Sequence, residues 1–240
     1  MSPILKLLAL VLFVFAAPGE IFSAEPAPQV ECRKLSSDVE CPLDYLMVSN
    51  AIPFFDVWRS FGVTANHLTL IGGVIQTLAC FFLWRRYTFL AGVLWLFGYY
   101  FDAIDGSYAR YHHLCSPYGD LLDHLRDWIC AAMMLVVLYF RYSLKLFDYL
   151  FLAMTFLLAT IYMGAQEQYL ISLKPHIQTS EILTVVASLI SFFNLQLEET
   201  IHWLRWVGAA HMNLAVAIYL AVLPLTRTKM EEFSTQNLVS

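Results

Sequence analysis

The chain has 240 residues, of which 59% are hydrophobic and only 14% are charged. Soluble domains carry about 25% charged residues, so this composition excludes an ordinary soluble protein and indicates a membrane protein. The formal net charge is −5, and the absence of a basic patch in the sequence excludes nucleic acid as a partner.

The first 42 residues combine a signal-like or anchor segment with a flexible arm. Lys6 precedes an apolar run that ends in small residues, a pattern typical of a secretory signal, although an uncleaved anchor is equally compatible with it. Prolines and polar residues over 25–42 predict a linker. Cys32 and Cys41 can pair if this segment faces an oxidising lumen, and the sequence favours neither outcome.

Apolar runs recur along the rest of the chain. Residues 43–61 mix aromatic with charged side chains, which predicts an amphipathic helix that lies in the membrane interface. The chain then predicts an all-α, polytopic membrane domain over 62–226 with six transmembrane helices, followed by a tail over 227–240. Because some runs are shorter than the about 20 residues that cross a bilayer, we expect the second and third to continue as helix into the polar segment between them. The six runs cover 63–84, 88–101, 128–142, 147–164, 182–197 and 203–225.

The polar segment between the second and third runs carries a strict pattern, D-x2-D-G-x2-A-R-x8-G-x3-D-x3-D. Its acids come in two pairs, three and four residues apart, so each pair shares one face of a helix. Four clustered carboxylates cannot all stay ionised without counter-charge, and hard divalent cations prefer oxygen ligands. The sequence therefore predicts two Mg²⁺ or Mn²⁺ ions bound by the four acids Asp102, Asp105, Asp123 and Asp127.

The other fixed positions of the pattern suit a phosphorylated ligand. Gly106 and Ala109 leave space beside the acids for a flat base or a pyrophosphate. Arg110 offers a planar cation for a phosphate. Gly119 interrupts the chain between the two predicted helices and allows close approach, which makes it a further candidate contact of the nucleotide.

This pattern resembles the signature of the CDP-alcohol phosphotransferase family, integral membrane enzymes that make phospholipids. The resemblance implies that the first three acids hold the metals and that the fourth, Asp127, acts as the base toward an acceptor hydroxyl. It also implies a homodimer, and it assigns the CDP moiety to Gly106, Ala109 and Arg110.

Residues outside the strict pattern extend this prediction. The segment VTANHLTLIGG resembles the T-x-N-x-x-T sequence of many family members, which places Thr64 and Asn66 near the nucleotide; helix capping by either residue is compatible with that role. His124 directly follows the third acid and is a candidate catalytic residue. Glu167 and Glu181 lie on the same side of the membrane as the pattern and are expected either to line the route of the acceptor or to lie in a solvated loop.

The sequence favours an aminoalcohol substrate, and one other substrate assignment is kept as the alternative. The segment SPYGDLLDH resembles the choline and ethanolamine phosphotransferase branch, although Leu125 and Arg126 replace the usual glycine and cysteine. That branch transfers a phosphoalcohol from CDP-choline or CDP-ethanolamine to diacylglycerol and releases CMP. The alternative enzyme uses CDP-diacylglycerol as donor and inositol or glycerol 3-phosphate as acceptor. A hypothesis from a different functional class is that the buried acids form a cation pathway, so that the protein is a transporter or a scaffold.

The predicted membrane and orientation follow from the family resemblance rather than from the distribution of basic residues. Basic residues are distributed almost evenly between the two predicted sides, so the positive-inside rule does not orient the chain. The resemblance predicts the endoplasmic reticulum membrane with the active site facing the cytosol. The signal-like start of the chain leaves another organelle membrane open.

Overall fold

The computed structural model describes residues 35–173 and 197–223. Within these residues every regular element is helical, which confirms the predicted all-α class. Two short 3₁₀ helices, Ile52–Phe54 and Arg205–Val207, accompany the α-helices. The α-helices are α1 (Pro42–Ala51), α2 (Phe55–Ser60), α3 (Ala65–Trp84), α4 (Thr88–Tyr111), α5 (Pro117–Arg141), α6 (Leu146–Leu173), α7 (Leu197–Leu204) and α8 (Ala209–Val222).

Three helical stretches in the described residues are long and apolar enough to cross a membrane. They cover Ala65–Trp84, Leu146–Leu173 and Ile201–Val222. Such apolar helices indicate an integral membrane protein. The predicted run 88–101 lies in α4, and the run 128–142 lies in α5 except for its last residue. These helices have 24 and 25 residues but carry the acids of the pattern. The run 182–197 falls outside the described residues except for its last position, so the count of six remains a prediction.

The extension of the second and third runs into the polar segment is confirmed. Helix α4 continues without a break through both of its acids as far as Tyr111. Helix α5 begins well before its apolar part, because Ser116 accepts a hydrogen bond of 3.0 Å from the backbone nitrogen of Gly119 and Pro117 occupies the first turn. Between them, His113 has a positive φ of 55°, which ends one helix and turns the chain toward the next.

The segment 43–61 differs from the single helix that the sequence predicts. It forms α1 and α2 with a 3₁₀ turn between them, because Pro53 has no backbone N–H and interrupts the helical ladder. Helix α2 packs on the end of α4, where the rings of Phe55 and Tyr108 meet edge to face at 5.2 Å. The Tyr108 hydroxyl also donates a 2.7 Å hydrogen bond to the carbonyl of Val63. The interfacial position of this segment remains a prediction.

Cys41, at the beginning of α1, is a free and buried thiol. Its sulfur lies 3.2 Å from Nδ1 of His211 on α8. Burial raises the pKa of this thiol to about 12, with the nearby charge of Asp44 adding to the effect. Cys32, the other cysteine of the pairing that the sequence left open, lies outside the described residues, so that pairing is not tested. The contact with His211 joins the start of the described chain to its last helix.

Helices α3 and α4 approach each other closely through glycines. A Cβ atom built on Gly72 of α3 would lie 2.9 Å from the carbonyl oxygen of Gly98 on α4, and one built on Gly98 would lie 2.9 Å from the oxygen of Gly72. Small residues at such a crossing allow two helix backbones to pack tightly in a membrane. On α4 this crossing lies one helical turn before Asp102, and it determines which face of α3 is turned toward the acids.

Candidate metal and nucleotide site

The structure brings all four predicted acids together at the adjoining ends of α4 and α5. Ligand atoms of Asp102, Asp105 and Asp123 lie within 4.8 Å of one another, and so do those of Asp123, His124 and Asp127. Because Asp123 belongs to both groups, the two groups are adjacent. Two cations that share one carboxylate require this arrangement, and oxygen donors suit Mg²⁺ or Mn²⁺.

Asp105 is the most enclosed of the acids. Its residue is 5% exposed, and its Oδ2 accepts a 2.5 Å hydrogen bond from the hydroxyl of Thr69 on α3. Thr69 is itself buried, so the bond fixes the orientation of the carboxylate. Sequence reasoning missed Thr69 as a functional residue, although it is the last threonine of the T-x-N-x-x-T segment.

The first two fixed residues of that segment, Thr64 and Asn66, have different neighbours. Thr64 caps α3: its hydroxyl accepts from the backbone nitrogen of His67 at 3.4 Å, while Nδ1 of His67 accepts from the backbone nitrogen of Thr64 at 3.1 Å. Asn66 lies beside Gly119, where a Cβ atom would meet its Oδ1 at 3.2 Å. The capping role predicted for Thr64 is confirmed, and two predicted nucleotide positions, Asn66 and Gly119, lie side by side.

Arg110 turns back toward its own helix. Its Nη2 donates a 3.1 Å hydrogen bond to the hydroxyl of Ser107, and a Cβ atom on Gly106 would lie 3.4 Å from its Nη1. The absence of a side chain at Gly106 therefore leaves the space beside the guanidinium open. Ala109 is buried at 8% exposure and adds little bulk. These three residues lie on α4 in the turns that follow its two acids.

His124 belongs to the second group of possible ligands. Its Nε2 lies 3.7 Å from Oδ1 of Asp120, one turn earlier on α5, and its side chain is 14% exposed. The structure thus places His124 beside Asp123 and Asp127, as the sequence predicts, without assigning it a chemical role.

Glu167 does not lie in a solvated loop. It is in helix α6 and is fully buried at 0% exposure, so that alternative is wrong. A buried carboxylate in an apolar helix is costly and often functional, and its proposed place on the acceptor route stays open. Glu181 lies outside the described residues.

Arg126 is the site residue that the sequence analysis noted only as a departure from a related branch. Its side chain is 6% exposed, and Nη2 contacts Asp102 on α4. The same nitrogen lies 3.0 Å from Oδ1 of Asp123 and 2.5 Å from Oδ1 of Asp127. One guanidinium against four acids leaves the site negative, which favours divalent cations.

Comparisons with known proteins agree with this geometry. The family model for CDP-alcohol phosphatidyltransferase matches residues 62–224, which is more than half of the chain. The chain therefore belongs to the CDP-alcohol phosphatidyltransferase family, whose members are transferases. The match includes both acid pairs, both helices that carry them and the T-x-N-x-x-T segment.

Two curated relatives share part of this region. The chain is 37% identical over 76 residues to an archaetidylinositol phosphate synthase of Pyrococcus horikoshii, covering 32% of the chain and 40% of the relative. It is 32% identical over 91 residues to an uncharacterized protein of Aquifex aeolicus, covering 38% of the chain and 46% of the relative. The chain thus spans less than half the length of either relative. No solved structure matches the chain.

Proposed function

We propose that this protein transfers a lipid phosphate from a CDP-activated lipid, such as CDP-diacylglycerol, to the hydroxyl of a small polyol or its phosphate, and releases CMP. Inositol, inositol phosphate and glycerol 3-phosphate are the acceptors of this class. The observation that carries the transfer chemistry is the pair of ligand groups that share Asp123 on adjoining helix ends. Similarity to an archaetidylinositol phosphate synthase supports a lipid donor and an inositol-type acceptor.

The donor set fits the metals that this chemistry uses. Asp102, Asp105 and Asp123 would hold one cation, and Asp123 and Asp127 with His124 would hold a second. When bound, two divalent cations neutralise a pyrophosphate and stabilise the leaving phosphate. All of these donors lie on two rigid helices, which favours precise positioning.

Exposure separates the roles of the acids. Asp105 is 5% exposed and accepts a hydrogen bond from Thr69, so its carboxylate has a fixed orientation that suits a metal ligand. The Asp127 side chain is 42% exposed and can reach an acceptor that arrives from water. A general base must lie within hydrogen-bond reach of the hydroxyl whose proton it accepts. Asp127 is therefore the proposed base, and His124 on the adjacent turn is the second candidate for proton transfer.

The reaction is a single displacement at phosphorus. The acceptor oxygen forms a bond to the lipid-side phosphorus of the donor as the bond from that phosphorus to the CMP oxygen breaks. The hydroxyl proton goes to Asp127, and CMP leaves with the electron pair of the broken bond. Arg110, beside the open space at Gly106, is placed to bind a donor phosphate. Asn66 and Gly119 are proposed to border the cytidine.

A second candidate is the aminoalcohol reaction, with CDP-choline or CDP-ethanolamine as donor and diacylglycerol as acceptor. The segment SPYGDLLDH favours it. The two reactions share site, metals and base but place the lipid on opposite sides of the transfer. Homodimerisation, the endoplasmic reticulum and a cytosolic active site remain predictions for both.

The test is release of CMP by purified protein in detergent with Mg²⁺ or Mn²⁺. CDP-diacylglycerol is offered with inositol, inositol phosphate or glycerol 3-phosphate, and CDP-choline or CDP-ethanolamine is offered with diacylglycerol. We expect release only with the lipid donor, and none after Asp123→Asn. Asp56→Asn, an exposed acid outside the site, is the matched control and should keep wild-type activity. CMP release only with the aminoalcohol donors would support the second candidate function. If no donor gives CMP release, both candidate functions are contradicted.

A further inference from the structure

We infer that Arg126 competes with divalent cations for the acids of this site, so that a cation binds by displacing its guanidinium. Arg126 then sets the metal concentration at which the site fills. The inference rests on the proposed function, because it concerns the same acids as metal ligands. It adds a residue of this chain whose charge opposes the binding of a cation to those acids.

The contacts of Arg126 coincide with the proposed metal ligands. Its Nη2 contacts Asp102 from α4 and lies 3.0 Å from Asp123 and 2.5 Å from Asp127 on α5. One nitrogen therefore bridges both helices through three carboxylates. Mg²⁺ binds carboxylate oxygens at about 2.0–2.1 Å. A cation at that distance from the same carboxylates would lie against the guanidinium, and the two positive charges would repel each other.

The guanidinium is held through that one nitrogen. Within the described residues, Nε and Nη1 of Arg126 are buried and have no hydrogen-bond partner. An arginine normally uses several donors in a fork, and a buried donor without a partner is unfavourable. Displacement of Nη2 from the acids would therefore break the contacts of a single nitrogen, and it would allow the other donors to find acceptors.

Helix α3 provides the space for this side chain. A Cβ atom on Gly73 would lie 3.0 Å from Cγ and 3.2 Å from Cδ of Arg126, and one on Gly72 would lie 3.1 Å from its Nη1. Two adjacent glycines thus form the surface on which Arg126 lies. The stem of Arg126 packs on α3 while its charged end reaches the acids of α4 and α5, so this side chain contacts all three helices.

Substitution of Arg126 tests the inference through metal affinity rather than activity. Mn²⁺ binding to purified full-length protein is measured from the electron paramagnetic resonance signal of free Mn²⁺, with no substrate present. Arg126→Met keeps the stem and removes the charge. We expect it to bind Mn²⁺ roughly tenfold more tightly than wild type, because a nearby positive charge no longer opposes the cation. Arg126→Lys keeps a positive charge without the planar guanidinium. Its Mn²⁺ affinity should lie between those of wild type and Arg126→Met.

A second readout needs only the thermal midpoint. In excess EDTA, Arg126→Met should melt below wild type, because the acids lose their counter-charge, and saturating Mn²⁺ should raise its midpoint by more than it raises that of wild type. Arg141→Met, at the far end of α5, is the matched control. It loses a hydrogen bond to the carbonyl of Trp84, which lowers its midpoint in EDTA, but its Mn²⁺ affinity and the rise of its midpoint with Mn²⁺ should equal those of wild type. If Arg126→Met does not fold, the affinity of Arg126→Lys decides.

The outcomes separate the inference from the proposed function. Equal or weaker Mn²⁺ binding by the Arg126 variants, with saturable binding by wild type, overturns the inference and leaves the metal site in place. Absence of saturable Mn²⁺ binding by wild type and by every variant contradicts the proposed metal-dependent function itself, and the inference fails with it.

Discussion

The hydroxyl of Thr69 on α3 donates a 2.5 Å hydrogen bond to the carboxylate of Asp105 on α4, and both residues are buried. This bond joins α3, which begins at the T-x-N-x-x-T segment, to α4, which carries the first acid pair. It makes Thr69 an outer partner of a proposed metal ligand. Such partners orient the ligand and commonly contribute a large part of metal affinity.

Thr69→Val should therefore weaken metal binding. Valine keeps the shape of threonine but leaves the buried Asp105 carboxylate without this donor. We expect a roughly 10- to 100-fold loss of Mn²⁺ affinity. Thr69→Ser, which keeps the hydroxyl, should lose much less. Titration of Mn²⁺ into the purified variants checks this, and equal affinity of the valine and serine variants would show that the hydroxyl does not support the site.

Asp105→Asn and Asp127→Asn should differ in what they lose. The first should weaken metal binding and abolish turnover, because Asp105 is a buried residue and a proposed metal ligand. The second should lower kcat by about 10²- to 10⁴-fold, the usual contribution of a general base, while nucleotide binding changes less. Steady-state kinetics and binding of CMP separate the two effects. Equal losses of turnover and binding in Asp127→Asn would instead make Asp127 mainly a metal ligand.

Gly119→Ala should raise KM for the CDP donor. The added Cβ would lie 3.2 Å from Oδ1 of Asn66, so the asparagine must move. If both residues border the cytidine, Asn66→Ala should also raise KM, and the two effects should not add in the double variant. Initial rates at varied donor concentration measure this. Strict additivity would argue that the two positions act independently of each other.

Gly98→Ala should destabilise the protein through the crossing of α3 and α4. The added Cβ would lie 2.9 Å from the carbonyl oxygen of Gly72 and 3.2 Å from the backbone nitrogen of Gln76, and neither backbone atom can rotate away. Overpacking of this kind costs about 1–3 kcal/mol. Val74→Ala, at an exposed position of α3, serves as control. A thermal midpoint at or above that of wild type would show that the helices do not pack as closely as described.

Cysteine labelling tests the fold without any substitution. Among the cysteines in the described residues, Cys115 is exposed, whereas Cys41, Cys80 and Cys130 are buried. The pKa of Cys41, raised to about 12 by burial, further lowers its thiolate fraction. Brief maleimide treatment at neutral pH should therefore modify Cys115 first, as peptide mass spectrometry would report. Preferential labelling of Cys41 would contradict its placement beside His211.

Much of the site could be predicted because its acids are close together in the sequence. The acids Asp102, Asp105, Asp123 and Asp127 lie on two helices joined by a short turn, so helical spacing alone determines which of them face together. The extension of α4 and α5 into polar sequence was predictable for the same reason, since Ser116 and Pro117 are start signals in the sequence itself. Pro53 was also such a signal, and its effect on the segment 43–61 could have been predicted.

The residues that the sequence analysis missed depend on contacts between distant segments. Thr69 takes part in the site because α3 crosses α4 at Gly72 and Gly98, which turns one face of α3 toward the acids. Arg126 lies beside two of the acids on α5, but its contact with Asp102 on α4 depends on the packing of both helices against α3. Nothing in the local pattern of either segment determines that rotation. The burial of Glu167 likewise arises from tertiary packing rather than from its neighbours in sequence. The choice of substrate is also absent from the pattern, because both candidate reactions use the same acids.

The most direct test of the proposed function follows the lipid phosphate itself. CDP-diacylglycerol labelled with ³²P on its lipid-side phosphorus is incubated with the protein, Mn²⁺ and inositol phosphate or glycerol 3-phosphate, and the lipid and aqueous products are separated. The account predicts that the label appears in a new phospholipid, that unlabelled CMP is released in equal amount, and that Asp123→Asn forms neither. If all label stays in CDP-diacylglycerol while CDP-choline or CDP-ethanolamine reacts with diacylglycerol, the proposed donor and acceptor are wrong.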